Sequence, residues 1–189
     1  MKILIAEDDA SIAEAYKDAL ETRNHEIIVT ENGEECLRKY QIETQHMQEL
    51  PPLIGEHKQR SHRYDARTKR KITAPFDVVI LDYKMPKKDG LQVAKEIFEI
   101  NPTQRVIFAS AFVQDTLVDS VKYLKRVVEL MQKPIGLQQL IDTVEDKEAF
   151  EALSKLIASI RKIKDPDSTN KDIQNLFQNV RRIQKYRTY

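Results

Sequence analysis

The sequence predicts a doubly wound α/β fold on a five-stranded parallel sheet, and three observations carry that prediction. Five short apolar runs, rich in β-branched residues, alternate with stretches of helical spacing. Each run is continuous rather than alternating, as a strand covered on both faces requires. Parallel neighbours need long crossovers, and helices in the crossovers cover both sides of the sheet.

Ile3-Leu4-Ile5-Ala6 is the first strand and ends in Glu7-Asp8-Asp9. Ile12, Ala13, Tyr16, Ala19 and Leu20 then keep helical spacing, with Asp9 or Ser11 as cap and an end near Asn24. Glu26 to Thr30 is the second strand, Asn32-Gly33 a turn, and Glu34 to about Met47 a second helix through Leu37 and Tyr40. From Leu50-Pro51-Pro52 to Pro75 no period holds. Between His57 and Lys71 this stretch sets Lys58, Arg60, Arg63, Arg67, Lys69, Arg70 and Lys71 against Asp65 alone, so residues from about 50 to 75 form a basic insertion.

The third strand, Asp77 to Leu81, delivers Asp82 into a loop punctuated by Pro86 and Gly90. A helix from about Leu91 to Ile100 is stopped by Asn101-Pro102. Arg105 to Ala109 is the fourth strand and ends in Ser110; a helix over about Gln114 to Lys125 leads to the fifth, Val127 to Met131, which ends in Gln132-Lys133-Pro134. The fifth helix starts near Leu137 and its pattern does not stop at the usual length. Leu140, Ile141 and Val144 pass into Phe150, Leu153, Ile157 and Ile160 as one seam to about Ile163. Asp165-Pro166-Asp167 breaks it, and Ser168 or Thr169 caps a last helix through Ile173, Leu176, Phe177, Val180 and Ile183 to a basic end. The expected organisation is a domain over 1–145 and a helical extension over 146–189.

With 189 residues, 41% of them hydrophobic, the chain can bury a full core, and a net charge of +1 gives no overall attraction to nucleic acid or membrane. Cys36 is the single cysteine, which excludes an internal disulfide and a cysteine-based metal cluster. With no signal-peptide pattern and no run of about 18 apolar residues, the expectation is a cytoplasmic protein with no membrane partner.

In a parallel sheet the carboxyl ends share one edge, so Glu7, Asp8, Asp82, Ser110 and Lys133 converge although they are scattered in sequence. Three close carboxylates repel and raise one another's pKa, which calls for a cation, and oxygen ligands with room for water favour Mg²⁺. Lys133 adds a point charge and Ser110 a hydroxyl donor. These parts suit in-line phosphoryl transfer onto a carboxylate, with Asp82 as nucleophile and an aspartyl phosphate as product.

The sequence here resembles the response-regulator receiver domain of two-component signalling. The resemblance rests on Ile3 to Asp9, on Val78 to Pro86 with Asp89-Gly90, on Phe108-Ala109-Ser110-Ala111 and on Lys133-Pro134, and covers about residues 1–145. It implies a flavodoxin-like strand order 2-1-3-4-5, with Asp82 as phosphoacceptor, Glu7 and Asp8 as the acid pair and Asp8 a direct Mg²⁺ ligand. It further implies the Lys84 carbonyl as third protein ligand, Ser110 as switch hydroxyl, Lys133 as the family lysine and a cis Lys133-Pro134 peptide. The implied partner is a histidine kinase or a phosphotransfer protein, and any enzymatic activity is limited to self-phosphorylation and slow autodephosphorylation.

Two features depart from the family pattern. The aromatic usual three residues before the lysine is Leu130, which puts tyrosine-type coupling to Ser110 in question; Phe112 could instead shield the phosphoryl group. The basic insertion replaces a short loop and is either a solvated segment, a dock for an acidic partner or a nucleic-acid contact. The seam over residues 145–189 either packs on its own domain or forms a homodimer. The competing reading is a pseudo-receiver or transcriptional regulator that acts by constitutive association or DNA binding. A small-substrate hydrolase is disfavoured, because Lys84 stands where such enzymes place an acid.

Overall fold

The computed structural model describes residues 1–49, 63–64, 71–72, 74–111, 124, 126 and 128–160. In chain order the elements are β1 (Lys2–Ala6), α1 (Ala10–Glu21), β2 (Glu26–Thr30), α2 (Gly33–Glu49), β3 (Arg63–Tyr64) and β4 (Lys71–Ile72). They continue with β5 (Val78–Asp82), α3 (Gly90–Ile100), β6 (Val106–Ser110), β7 (Glu129–Gln132), α4 (Leu137–Glu145) and α5 (Lys147–Ile160). The main sheet runs β2-β1-β5-β6-β7 with every pairing parallel, which is the order 2-1-3-4-5 when its own strands are counted. The chain divides into two compact units, Met1–Glu145 and Asp146–Tyr189.

Because side chains alternate along a strand, the continuous apolar runs serve two cores at once. Leu4, Ala6, Val79, Leu81, Val106 and Phe108 face one side, where they meet Cys36, Leu37 and Tyr40 of α2 and Val93, Ala94 and Ile97 of α3. Ile3, Ile5, Val78, Ile80, Ile107 and Ala109 face the other, against Tyr16 and Leu20 of α1 and Leu140, Ile141 and Val144 of α4. Fully burying an aliphatic side chain contributes about 1.5–3 kcal/mol, so the three central strands are the most strongly held part of the fold. The helix starts follow the sequence: the Asp9 side chain accepts the N–H groups of Ser11 and Ile12, and Asp89 with Gln92 forms a capping box on α3.

Two elements differ from expectation. The fifth helix does not run on as one seam: α4 ends at Glu145 and α5 begins at Lys147. The break has a physical cause at each end. The Arg105 guanidinium donates to the carbonyls of Thr143 at 2.6 Å and Val144 at 2.8 Å, which the next helical turn would otherwise use. Asp146 Oδ1 accepts the Ala149 N–H at 3.0 Å and so caps a new helix. Within the basic insertion, Arg63–Tyr64 pairs antiparallel with Lys71–Ile72, a hairpin whose two-residue strands are too short to show a period in sequence.

The helix expected over Gln114 to Lys125, Phe112, the last helix from Ser168 and the basic chain end lie outside the described residues. Among the described residues no helix is long and apolar enough to cross a membrane.

Candidate functional site

Strand register builds the site. Ala6 lies beside Leu81 and Asp82 beside Ala109, so β1 releases Glu7 and Asp8 next to the end of β5. Ser110 lies beside Gln132, and the Lys133 N–H donates to the Ser110 carbonyl at 2.8 Å. The five residues that the sequence scatters therefore share one edge. Glu7, Asp8 and Asp82 each offer a carboxylate oxygen, all within 4.8 Å of one another. Lys133 Nζ stands 2.8 and 2.6 Å from the two Glu7 oxygens and 3.3 Å from Asp82 Oδ2. Lys133, which the sequence offered as a mobile point charge for the pocket, is thus already engaged by the acids.

The electrostatics correct a second expectation. The carboxyls of Glu7 and Asp82 are both held above their ordinary range, but burial, not mutual repulsion, is the largest cause. For Glu7, Lys133 opposes that push, and the charge of Asp82 only adds to it. For Asp82 the opposing influences are Lys133 and then backbone hydrogen bonds from Lys84 and Tyr83. The edge therefore holds carboxylates that still lack full charge compensation. Hard oxygen donors of this kind, with Asp8 exposed beside two buried partners, fit a Mg²⁺ ion that keeps some of its water.

The loop after Asp82 is stiff. The Tyr83 N–H donates to Ala109, Gly90 to the Tyr83 carbonyl at 3.0 Å and Lys88 to Pro86 at 2.7 Å. Lys87 adopts a φ of 65°, Met85 is buried and Lys84 is exposed. Ser110 is buried at the end of β6. The Lys133-Pro134 peptide is cis. Leu130 lies beside Phe108 in the sheet and packs, partly buried, against the α2/α3 core.

Sequence reasoning missed one residue near the acids. Tyr16 looked like an ordinary apolar position of α1. Its hydroxyl is pushed up to about 12 by burial first and then by the charges of Glu7 and Asp82. No sequence signal separates such a tyrosine from a core residue.

Buried Asp82, a second acid and a lysine thus meet at the carboxyl edge of a doubly wound sheet, a set of groups able to hold a cation and an anionic ligand. The response regulator receiver domain family matches residues 62–145. Chemotaxis protein CheY of Listeria monocytogenes is 25% identical over 147 residues, which is 77% of this chain and 96% of that protein. DNA-binding transcriptional regulator NtrC of Azospirillum brasilense is 28% identical over 144 residues, and this chain spans only 23% of its length. Among solved structures, the receiver domain of Francisella response regulator 1452 superposes with a TM-score of 0.53 at 21% identity, covering 80% of this chain and 98% of that one. Residues 62–145 thus match the response regulator receiver domain family, and the chain is similar to a receiver protein over 77% of its length. The family match starts within the basic insertion, and β1, α1, β2 and α2 are joined to the matched part through the parallel β1–β5 pairing.

Proposed function

We propose that this protein is a phosphorelay receiver that takes a phosphoryl group onto Asp82 from a histidine kinase or a phosphotransfer protein and changes its binding or association as a result. The observation that carries the reading is Lys133 Nζ set between Glu7 and Asp82 with an Asp8 oxygen within reach, since all the charges needed for the transfer converge on one carboxylate.

In the reaction an Asp82 oxygen attacks phosphorus in line, the new P–O bond forms as the donor's P–N bond breaks, and the departing imidazole keeps the electron pair. Glu7, Asp8, Asp82 and the Lys84 carbonyl would hold Mg²⁺, which supplies charge neutralisation at the phosphoryl oxygens. Lys133 can swing from Glu7 toward the phosphoryl group, because its side chain is a flexible point charge. Ser110, one strand over, can donate its hydroxyl to another oxygen. Since β6 ends in Ser110 and β7 leads into Lys133, their rearrangement is the start of the signal, and Leu130 makes that signal independent of an aromatic relay. Residues 146–189 then serve as the part whose association changes.

Incubation with acetyl phosphate and Mg²⁺ should give a base-labile adduct of one phosphoryl group per chain on the wild type and none on Asp82→Asn. Equal labelling of the two would refute the assignment.

A further inference from the structure

The turn at Asn32-Gly33 belongs to no part of the acid pocket, yet it touches the loop that shapes it. A Cβ built on Gly33 would stand 2.1 Å from the Lys88 carbonyl oxygen and 2.8 Å from Val93 Cγ2. No side chain fits there, and the nearest obstacle is backbone, which cannot rotate away. A Cβ on Gly90, at the other end of the same loop, would stand 2.2 Å from the Asp82 carbonyl oxygen. The segment from Tyr83 to Asp89 is thus enclosed by two bare glycines, one at the start of α2 and one at the start of α3.

Neither side of the Gly33 contact can yield cheaply. The start of α2 is pinned by the Asn32 side chain, which accepts the Glu35 N–H at 3.0 Å, and by buried Cys36, Leu37 and Tyr40. The loop is closed on itself by the Lys88 to Pro86 and Gly90 to Tyr83 hydrogen bonds. A push at Lys88 therefore passes along a stiff segment to Tyr83 and Lys84, whose N–H groups bond the Asp82 carboxylate.

We propose that Gly33 is a positioning residue for the phosphoacceptor loop: its missing side chain lets α2 bear directly on the Lys88 carbonyl and so fixes the Tyr83 and Lys84 backbone around Asp82. The inference rests on the receiver reading, because it assigns Gly33 a role toward that same pocket.

The test is Mg²⁺ affinity of the full chain, measured by titration calorimetry, for wild type, Gly33→Ala and Gly136→Ala. The third is a matched control, since a Cβ on Gly136 meets nothing within 4 Å. Gly33→Ala should weaken Mg²⁺ binding about 10- to 100-fold, the usual range for residues that orient a ligand shell, while Gly136→Ala leaves it unchanged. Amide resonances of Tyr83 and Lys84 should shift in Gly33→Ala before any Mg²⁺ is added. A folded Gly33→Ala with wild-type affinity and unshifted amides, or equal losses in the two variants, would overturn the proposal. If Gly33→Ala does not fold, Asn32→Ala loosens the same helix start without adding an atom; a severalfold loss of affinity supports the proposal and unchanged affinity refutes it. A wild-type chain that binds no Mg²⁺ would instead overturn the receiver reading together with the inference.

Discussion

The two edges of the sheet each hold a cation against acid, Arg105 buried and Lys133 half-buried, and they treat it in opposite ways. At the amino edge Arg105 is saturated: its guanidinium grips both oxygens of Glu129 at 2.7 and 3.0 Å and caps the carbonyls of Thr143 and Val144. At the carboxyl edge Lys133 is shared among acids that outnumber it, and Glu7 and Asp82 stay above their ordinary pKa. One edge spends its charges on stability and the other keeps an imbalance that a cation can relieve. A planar fork suits the first task, and a mobile point charge the second.

The largest effect should come from breaking the satisfied edge. Arg105→Ala would leave Glu129 and two helix-end carbonyls without their partner, at a cost of about 3–5 kcal/mol in urea unfolding. Mg²⁺ affinity at the far edge should survive in whatever fraction stays folded. A loss below 1 kcal/mol by the same measure would show that the two edges are not as different as their geometry implies.

Next in size is the effect of filling the unsatisfied edge. Mg²⁺ at 100 times its dissociation constant should stabilise the wild type by about 2.7 kcal/mol, seen as a rise in the thermal midpoint. Asp8→Asn and Asp82→Asn should remove that gain, and Arg105→Ala should keep it. If the gain persisted in both acid variants, the cation would be bound elsewhere.

The same contrast explains what could be read from the sequence. The carboxyl edge was legible because parallel strands collect their ends there, so Glu7, Asp8, Asp82, Ser110 and Lys133 could be grouped from strand order alone. The amino edge was not: Arg105 read only as the first residue of a strand, and its bonds to Thr143 and Val144 span nearly 40 positions that no periodicity connects. For that reason the end of α4 was also missed, since the apolar spacing continues past Asp146 while the helix does not. The role of Gly33 was hidden for a related reason. Asn32-Gly33 announces a turn, but only the packing of α2 on the Asp82 loop shows that the glycine is required from outside the turn.

The smallest effect is the one that tests the imbalance itself, with no metal present. Asp82→Asn removes a buried charge whose folded pKa is raised, so the variant should be more stable than wild type at neutral pH by about 0.5–2 kcal/mol, a common trade of activity for stability. The sign follows from linkage. A carboxyl with a raised folded pKa binds its proton more tightly in the folded state, so its penalty is absent below its unfolded pKa and grows as pH rises through the folded value. Urea unfolding in chelator should therefore give matching stabilities for Asp82→Asn and wild type near pH 3.5, with wild type falling behind as pH is raised toward 7. Added Mg²⁺ should reverse the ranking at pH 7, since it relieves the charge in wild type alone. Parallel pH profiles would mean that Lys133 and the Tyr83 and Lys84 amides already compensate Asp82 in full, and the contrast between the two edges would then be one of shape, not of charge.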